Sequence, residues 1–187
     1  MGILSKQKGK RFEKEICKKL SLWISGGKKT DLFVPSTGSG SLSTVHSDRK
    51  LYASHCGDVT PSDPDGFQLF DKWMIECKSY KDLEILKLFF RHIKNQEKTS
   101  PILMEFMSKA IEEAKVHKKN AMLIVQQNRS LSLCVFPAVW VENILKKSYP
   151  IVPTFFSFPH LILCGLYFMS LDDALCVDFS LFKNLRG

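Results

Sequence analysis

The order of hydrophobic and polar positions along the 187-residue chain predicts alternating helices and strands. Residues 8–24 carry apolar side chains at helical spacing, and Gly26-Gly27 follow them as a stop signal. Further helices are predicted over 82–94, from Ser100-Pro101 to about Lys118, over 138–147 and near 171–176. Strands are predicted over 57–60, 121–126, 131–136 and 161–169, and one or two strands over 67–79, of which the last is the stretch "WMIECKSY". This order is typical of a mixed α/β fold, and the length favours one domain over 1–187.

Three segments depart from this alternation. Residues 35–56 begin with "PSTGSGSLSTVHSD", which predicts a long flexible loop, and "PSDPDG" (61–66) predicts a turn. Residues 148–171 contain no charged side chain, but three prolines interrupt them. Their longest uninterrupted apolar run, 161–169, is much shorter than the about 20 residues of a spanning helix. We therefore expect buried strand and loop there, and no membrane association.

The cysteine spacing and the charge distribution indicate a cellular compartment and a class of binding partner. The six cysteines show neither a C-x-x-C pair nor zinc-ligand spacing, which predicts reduced thiols in a cytoplasmic protein. The net charge of +8 is concentrated at the start, where residues 1–50 hold eleven Lys/Arg and four Asp/Glu. Such a basic region indicates a polyanionic partner, most often nucleic acid. A solubilising lysine-rich surface would give the same composition.

The stretch "WMIECKSY" (73–80) places an acid and a base on one face of a strand. Glu76 and Lys78 are two positions apart and share that face, whereas Cys77 points to the other. Asp58 comes eighteen residues before Glu76, and the intervening turn predicts that the two segments run side by side as a hairpin.

Converging carboxylates such as Asp58 and Glu76 repel each other unless a divalent cation neutralises them, and oxygen ligands favour Mg²⁺ or Mn²⁺. A neighbouring lysine would stabilise developing negative charge or position a water. The set predicts phosphodiester hydrolysis. The alternative is a surface ion pair between Glu76 and Lys78 on a half-exposed strand.

The first predicted helix carries one acid among its apolar positions. On a helical wheel Glu13 falls inside the apolar arc, whereas Glu15 faces solvent. A buried carboxylate must be paired, protonated or metal-bound. The alternative is that Glu13 lies at the edge of the helix contact and reaches water.

These motifs together resemble the PD-(D/E)XK nuclease superfamily. The pattern "GDV…MIECKSY" is similar to the motif of archaeal Holliday-junction resolvases and related phage and bacterial endonucleases. "KGKRFEKEICKKL" resembles their first helix, in which a glycine precedes by four a glutamate of the metal site, here Gly9 and Glu13. The segment "STGSGS" lies where the resolvases carry a Ser/Gly segment involved in DNA contact or catalysis. The resemblance covers residues 8–80 and is only architectural beyond them.

Three features depart from the resolvase pattern. Gly57 precedes the aspartate where the motif name has proline, although that position varies in the superfamily. The loop from Gly38 to Asp58 is longer than in compact resolvases, and residues 82–100 are interpreted as an insertion. These departures weaken the resemblance to junction resolvases more than the resemblance to nucleases of this superfamily in general.

The resemblance implies a restriction-endonuclease-like core, with a central mixed sheet flanked by helices. It implies a Mg²⁺- or Mn²⁺-dependent DNA endonuclease that is specific for branched or junction DNA. Asp58 and Glu76 would bind the metal with the backbone carbonyl of Cys77, and Glu13 would be a further ligand, directly or through water. Lys78 would orient the attacking water or stabilise the transition state. The residues expected to contact DNA are Lys10, Arg11, Lys14, Lys18, Lys28, Lys29, Ser39 and Ser41.

A homodimer is expected, since cutting two strands needs two sites, with Leu22 and Phe33 as candidate exposed apolar residues of its interface. Small free-standing nucleases of this kind are common in phages and mobile elements, so a phage or a mobile element is the expected source. Two alternatives remain open: an inactive nucleic-acid-binding module of the same fold, and an interaction domain in which the Glu76–Lys78 pair is incidental. The second would place Glu13, Asp58 and Glu76 far apart.

Overall fold

The computed structural model describes residues 3–36, 56–81, 83, 101–127, 130–140, 160–163 and 165–180. Most of the predicted loop over 35–56, nearly all of the predicted helix over 82–94 and insertion over 82–100, and most of the predicted helix over 138–147 lie outside these residues. Ser39 and Ser41 also lie outside them.

Within the described residues, helices and strands follow the predicted order with three exceptions. The short strand over 33–35 was not predicted, and the other two exceptions are given below. The helices are α1 (Ile3–Ile24), α2 (Phe67–Phe70), α3 (Pro101–Val116) and α4 (Leu171–Cys176). The strands are β1 (Phe33–Pro35), β2 (Val59–Pro61), β3 (Trp73–Tyr80), β4 (Asn120–Gln127), β5 (Ser132–Pro137), β6 (His160–Leu163) and β7 (Leu166–Ser170). Strands β1 and β2 form a two-stranded sheet, and a five-stranded sheet has the order β3-β4-β5-β7-β6.

Helix α1 ends at the predicted glycine pair. Gly26 and Gly27 both have positive φ, at 60° and 85°, and the Gly27 N–H donates to the Leu22 carbonyl at 2.7 Å. Glycine adopts this left-handed conformation without the strain that a Cβ would cause, so it closes the last turn. The apolar face of α1, with Phe12, Ile16 and Leu20 buried, packs on the main sheet.

The five-stranded sheet is mixed, and helices cover both of its faces. β3 runs parallel to β4, and α3 lies between them in sequence, whereas the remaining neighbours are antiparallel. Because side chains alternate along a strand, those of β3 point in turn toward α1 on one face of the sheet and toward α3 on the other. Ile75 and Cys77 lie in the apolar cluster of α1, and Met74 lies in the cluster of α3. Glu76 shares the parity of Met74, so its side chain leaves β3 on the α3 side.

Two predicted strands are wrong in their extent. Residues 67–79 comprise the short helix α2 and strand β3, because Pro64 and the capping Asp63 start helical turns just before Phe67. The predicted strand over 161–169 is a hairpin of β6 and β7, and Gly165 between them has a φ of 74°. A glycine in this conformation permits the tight reversal.

Two smaller expectations are also wrong. The segment that holds Asp58 does not pair with β3 as a hairpin strand, because β2 pairs with β1 in the register Phe33↔Pro61. Phe33 is buried at 3% exposure and Leu22 is half-buried, so Phe33 is not an exposed interface residue. No helix within the described ranges is long and apolar enough to cross a membrane.

Candidate active site

Asp58 lies beside the edge of β3 that faces away from β4, in the position of a neighbouring strand. Its N–H donates to the Ile75 carbonyl at 2.8 Å, and its Oδ2 accepts the Cys77 N–H at 2.9 Å. The side chain is only 4% exposed. Because the N–H and C=O of one strand residue point to the same side, the Cys77 carbonyl also faces this edge. The carboxylate is therefore fixed beside a main-chain oxygen.

Gly57 makes this close approach possible. Its φ is 74°, and a Cβ at this position would lie 2.6 Å from the Ile75 carbonyl oxygen and 3.0 Å from Met74 Cγ. No side chain fits that space without moving the backbone of the turn. The glycine that stands where the nuclease motif has proline is thus required by the way Asp58 meets β3 in this protein.

Glu76 and Lys78 complete an ion cluster with Asp58. The Lys78 Nζ donates to Glu76 Oε1 and lies 3.6 Å from Asp58 Oδ2. Burial raises the pKa of Glu76 to about 7, and the Asp58 charge adds to this, whereas Lys78 opposes it. Burial alone would lower the pKa of Lys78, but Glu76 and Asp58 outweigh it and raise that pKa. Lys78 therefore stays charged between Asp58 and Glu76, and Glu76 loses its proton only at a higher pH than an ordinary glutamate.

Glu13, on α1, lies close enough to this cluster for the charges of Asp58 and Lys78 to act on its pKa. Its side chain is half-buried, and its pKa is raised first by burial and then by the Asp58 charge, whereas Lys78 and Lys10 lower it. Glu15 is exposed, as the helical wheel predicts. Glu13 thus lies at the edge of the apolar face, as one interpretation of the wheel has it. It is also partly buried, and the charge of the buried Asp58 still raises its pKa.

The oxygen donors at this edge fit a hard divalent cation. They are the carboxylates of Asp58 and Glu76 and the main-chain carbonyl of Cys77, the donor type that Mg²⁺ and Mn²⁺ take. The Cys77 thiol is no donor here, because it packs on the α1 side and burial raises its pKa well above the usual value. Within the described part of the chain, no three His, Cys, Asp or Glu side chains form a ready-made metal cluster. Glu13 therefore does not complete a three-carboxylate ligand set.

The basic residues predicted to contact DNA differ in their surroundings. Five of them are exposed: Lys10, Arg11, Lys14, Lys18 and Lys28. Lys29 instead forms ion pairs with Asp63 at 3.0 Å and with Asp65 at 2.9 Å. Lys29 stays a predicted phosphate contact, although its charge is already shared with two carboxylates of the 61–66 turn.

The structure adds one residue that the motifs did not identify. Glu113, on α3, accepts the Gly57 N–H through Oε1 at 3.2 Å, and its charge helps to raise the pKa of Glu76. Glu113 and Gly57 are 56 positions apart, so motif spacing could not connect them. A wheel of α3 would have helped, because Glu113 adjoins the buried Ala110 and Ala114 on the apolar side.

Comparison with known proteins identifies a family. A family model described as "Phage putative PDDEXK endonuclease" matches residues 4–164, which include Glu13, Asp58, Glu76 and Lys78. No curated protein and no solved structure matches the chain. The match agrees with the superfamily to which the motifs point, and its description does not mention junction resolvases.

Proposed function

Because the chain belongs to this family of phage PDDEXK endonucleases, we propose that it hydrolyses phosphodiester bonds in DNA with the help of Mg²⁺ or Mn²⁺. The observation that carries the proposal is that Asp58, Glu76 and Lys78 come together at the edge of β3 that faces away from β4. We further propose that the sheet between α1 and α3 is a restriction-endonuclease-like core, and that residues 1–187 form one nuclease domain.

Each residue of the cluster has a proposed role. Asp58, Glu76 and the Cys77 carbonyl would hold the cation, with Glu13 as a further ligand, directly or through water. A bound divalent cation would polarise the phosphoryl group and acidify a water molecule. The Lys78 ammonium stabilises the negative charge that develops on the phosphate, and its partial burial strengthens this effect.

The exposed basic residues of α1 supply the DNA contacts in this proposal. The Lys10 charge lowers the pKa of Glu13, so at least one basic residue of α1 lies close to the site. Lysine and arginine contacts to phosphates give affinity without sequence specificity. The preference for branched or junction DNA rests on the resemblance to resolvases, and a homodimer is proposed because two strands need two sites.

A cleavage assay tests the function. Four-way junction, flap, single-stranded and duplex DNA are incubated with Mg²⁺ and wild type, Glu76→Gln or Lys78→Ala. We expect wild-type cleavage, and a loss of about 10²–10³-fold in each variant, the usual cost of removing a group that stabilises transition-state charge. Lys81→Ala is a matched control, because Lys81 is exposed three positions further along the chain.

A second pair of variants tests Glu13 against its neighbour. Glu13→Gln should reduce cleavage, whereas Glu15→Gln on the exposed side of the same helix should not. Cleavage unchanged by both Glu76→Gln and Lys78→Ala would refute the site. Wild-type protein that binds DNA but cuts none of the substrates with Mg²⁺ or Mn²⁺ would favour the inactive binding module.

A further inference from the structure

Helices α1 and α3, on opposite faces of the main sheet, each carry a glutamate that interacts with the turn that holds Asp58 or with Asp58 itself. Glu13 belongs to α1, and its pKa responds to the Asp58 charge. Glu113 belongs to α3, and its carboxylate accepts the Gly57 N–H at 3.2 Å. The proposed function assigns a role to Glu13 and leaves Glu113 without one.

Glu113 satisfies a main-chain group that the turn cannot satisfy by itself. Gly57 is buried, and among the described main-chain groups none accepts its N–H. A buried N–H without an acceptor is costly, and a carboxylate acceptor makes a stronger bond than a neutral one. Glu113 therefore attaches the left-handed residue before Asp58 to the last turn of α3.

The other hydrogen bonds of this turn are made by Asp58, and each of them needs the Asp58 main chain in its present orientation. The Asp58 N–H and carboxylate both meet β3, and the Asp58 carbonyl accepts the Ser36 N–H at 3.0 Å. A small rotation about Gly57 would move the Asp58 carboxylate away from the Cys77 N–H. The Glu113 bond opposes that rotation from the α3 side.

We propose that Glu113 is a positioning residue of the nuclease site: through the Gly57 N–H it holds Asp58 in the orientation that binds the cation. This inference rests on the proposed function. Glu113 acts through the main chain and does not touch the cation or the DNA. The hydrogen bond, rather than the charge of Glu113, carries the effect.

Three substitutions in the full chain separate the hydrogen bond from the charge. Glu113→Gln keeps an acceptor oxygen at the same reach without the charge, Glu113→Asp keeps the charge but shortens the side chain, and Glu113→Ala removes both. Glu112→Ala is the matched control, because Glu112 is the exposed neighbour on α3. The readouts are Mn²⁺ affinity by calorimetry without DNA, the Mg²⁺ concentration for half-maximal cleavage, and hydrogen–deuterium exchange of the peptide that contains Gly57.

We expect Glu113→Ala and Glu113→Asp to weaken Mn²⁺ binding and raise the required Mg²⁺ concentration by about 10- to 100-fold, the usual cost of losing an outer partner of a metal ligand. Glu113→Gln should stay close to wild type, as should Glu112→Ala. Exchange at Gly57 should accelerate in the Ala and Asp variants only. A general loss of structure would accelerate exchange throughout the chain, in α1 as well.

Two results would overturn the inference. One is wild-type Mn²⁺ affinity and Gly57 exchange in Glu113→Ala, and the other is a Gln variant as impaired as the Ala variant while Asp stays active. A wild-type protein that neither binds Mn²⁺ nor cleaves DNA would refute the proposed function and, with it, the role of Glu113 in that function. The exchange of Gly57 would still show whether Glu113 holds the turn.

Discussion

Replacing Gly57 with alanine should be among the most damaging single-methyl changes in this protein. A residue with a side chain at a φ of 74° costs roughly 1–2 kcal/mol in backbone strain. The added Cβ would also lie 2.6 Å from the Ile75 carbonyl oxygen, which belongs to the backbone and cannot rotate away. Relief requires a shift of the turn that weakens at least one buried hydrogen bond of Asp58, at about 1–3 kcal/mol. We expect Gly57→Ala to lower the free energy of unfolding by roughly 2–5 kcal/mol.

Gly165 provides a control with the same backbone conformation. Its φ is also 74°, but nothing lies within 4 Å of a Cβ built there. Gly165→Ala should therefore cost only the strain, roughly 1–2 kcal/mol. Urea unfolding of both variants gives the difference, and Mn²⁺ binding should be weakened in Gly57→Ala alone. Equal losses of stability in the two variants would show that the contact with Ile75 is not what makes Gly57 necessary.

Three further predictions concern charge and exposure. Since the pKa of Glu76 is raised from 4.5 to about 7, its contribution to the stability of the metal-free protein is fully present below about pH 4.5 and is lost as the pH rises through about 7. The loss is on the order of 3 kcal/mol in urea unfolding with EDTA, and Glu76→Gln should abolish it; a variant with the wild-type pH profile would contradict this. Lys14→Ala should reduce the slope of log affinity for DNA against log salt by about 1 in fluorescence anisotropy. Lys29→Ala should leave it unchanged, because Asp63 and Asp65 already pair with that charge; an equal effect of both variants would support Lys29 as a phosphate contact. In the native protein an aromatic disulfide reagent followed by mass spectrometry should label the exposed Cys176 well before the buried Cys134, whose pKa is raised by burial; equal labelling would disprove the burial of Cys134.

Local periodicity predicted the features of the site that depend on one element at a time. The period of two placed Glu76 and Lys78 on one face of β3, and the helical period placed Glu13 on the inner side of α1. Gly26-Gly27 marked the end of α1 because the left-handed conformation there favours glycine. Each of these inferences needed only the residue types and one repeat length.

Features that depend on the arrangement of several elements were not predictable in this way. The hairpin expected between Asp58 and Glu76 was wrong, because β2 pairs with β1 and Asp58 meets β3 only through its own main chain and carboxylate. The division of 161–169 into two strands depended on Gly165, which lies inside an otherwise continuous apolar run. Glu113 contacts Gly57 only because α3 packs on the sheet next to the turn that contains Gly57 and Asp58.

The way Asp58 meets β3 also bears on how the protein behaves in concentrated solution. An edge strand with open N–H and C=O groups can pair with a strand of another molecule, and such pairing leads to aggregation. Asp58 occupies the Ile75 carbonyl and the Cys77 N–H, so it covers this part of the edge as well as serving the proposed chemistry. Asp58→Asn keeps an oxygen for the Cys77 N–H, whereas Asp58→Ala exposes that group. For crystals or DNA complexes of an inactive protein, asparagine is therefore the substitution that should preserve solubility.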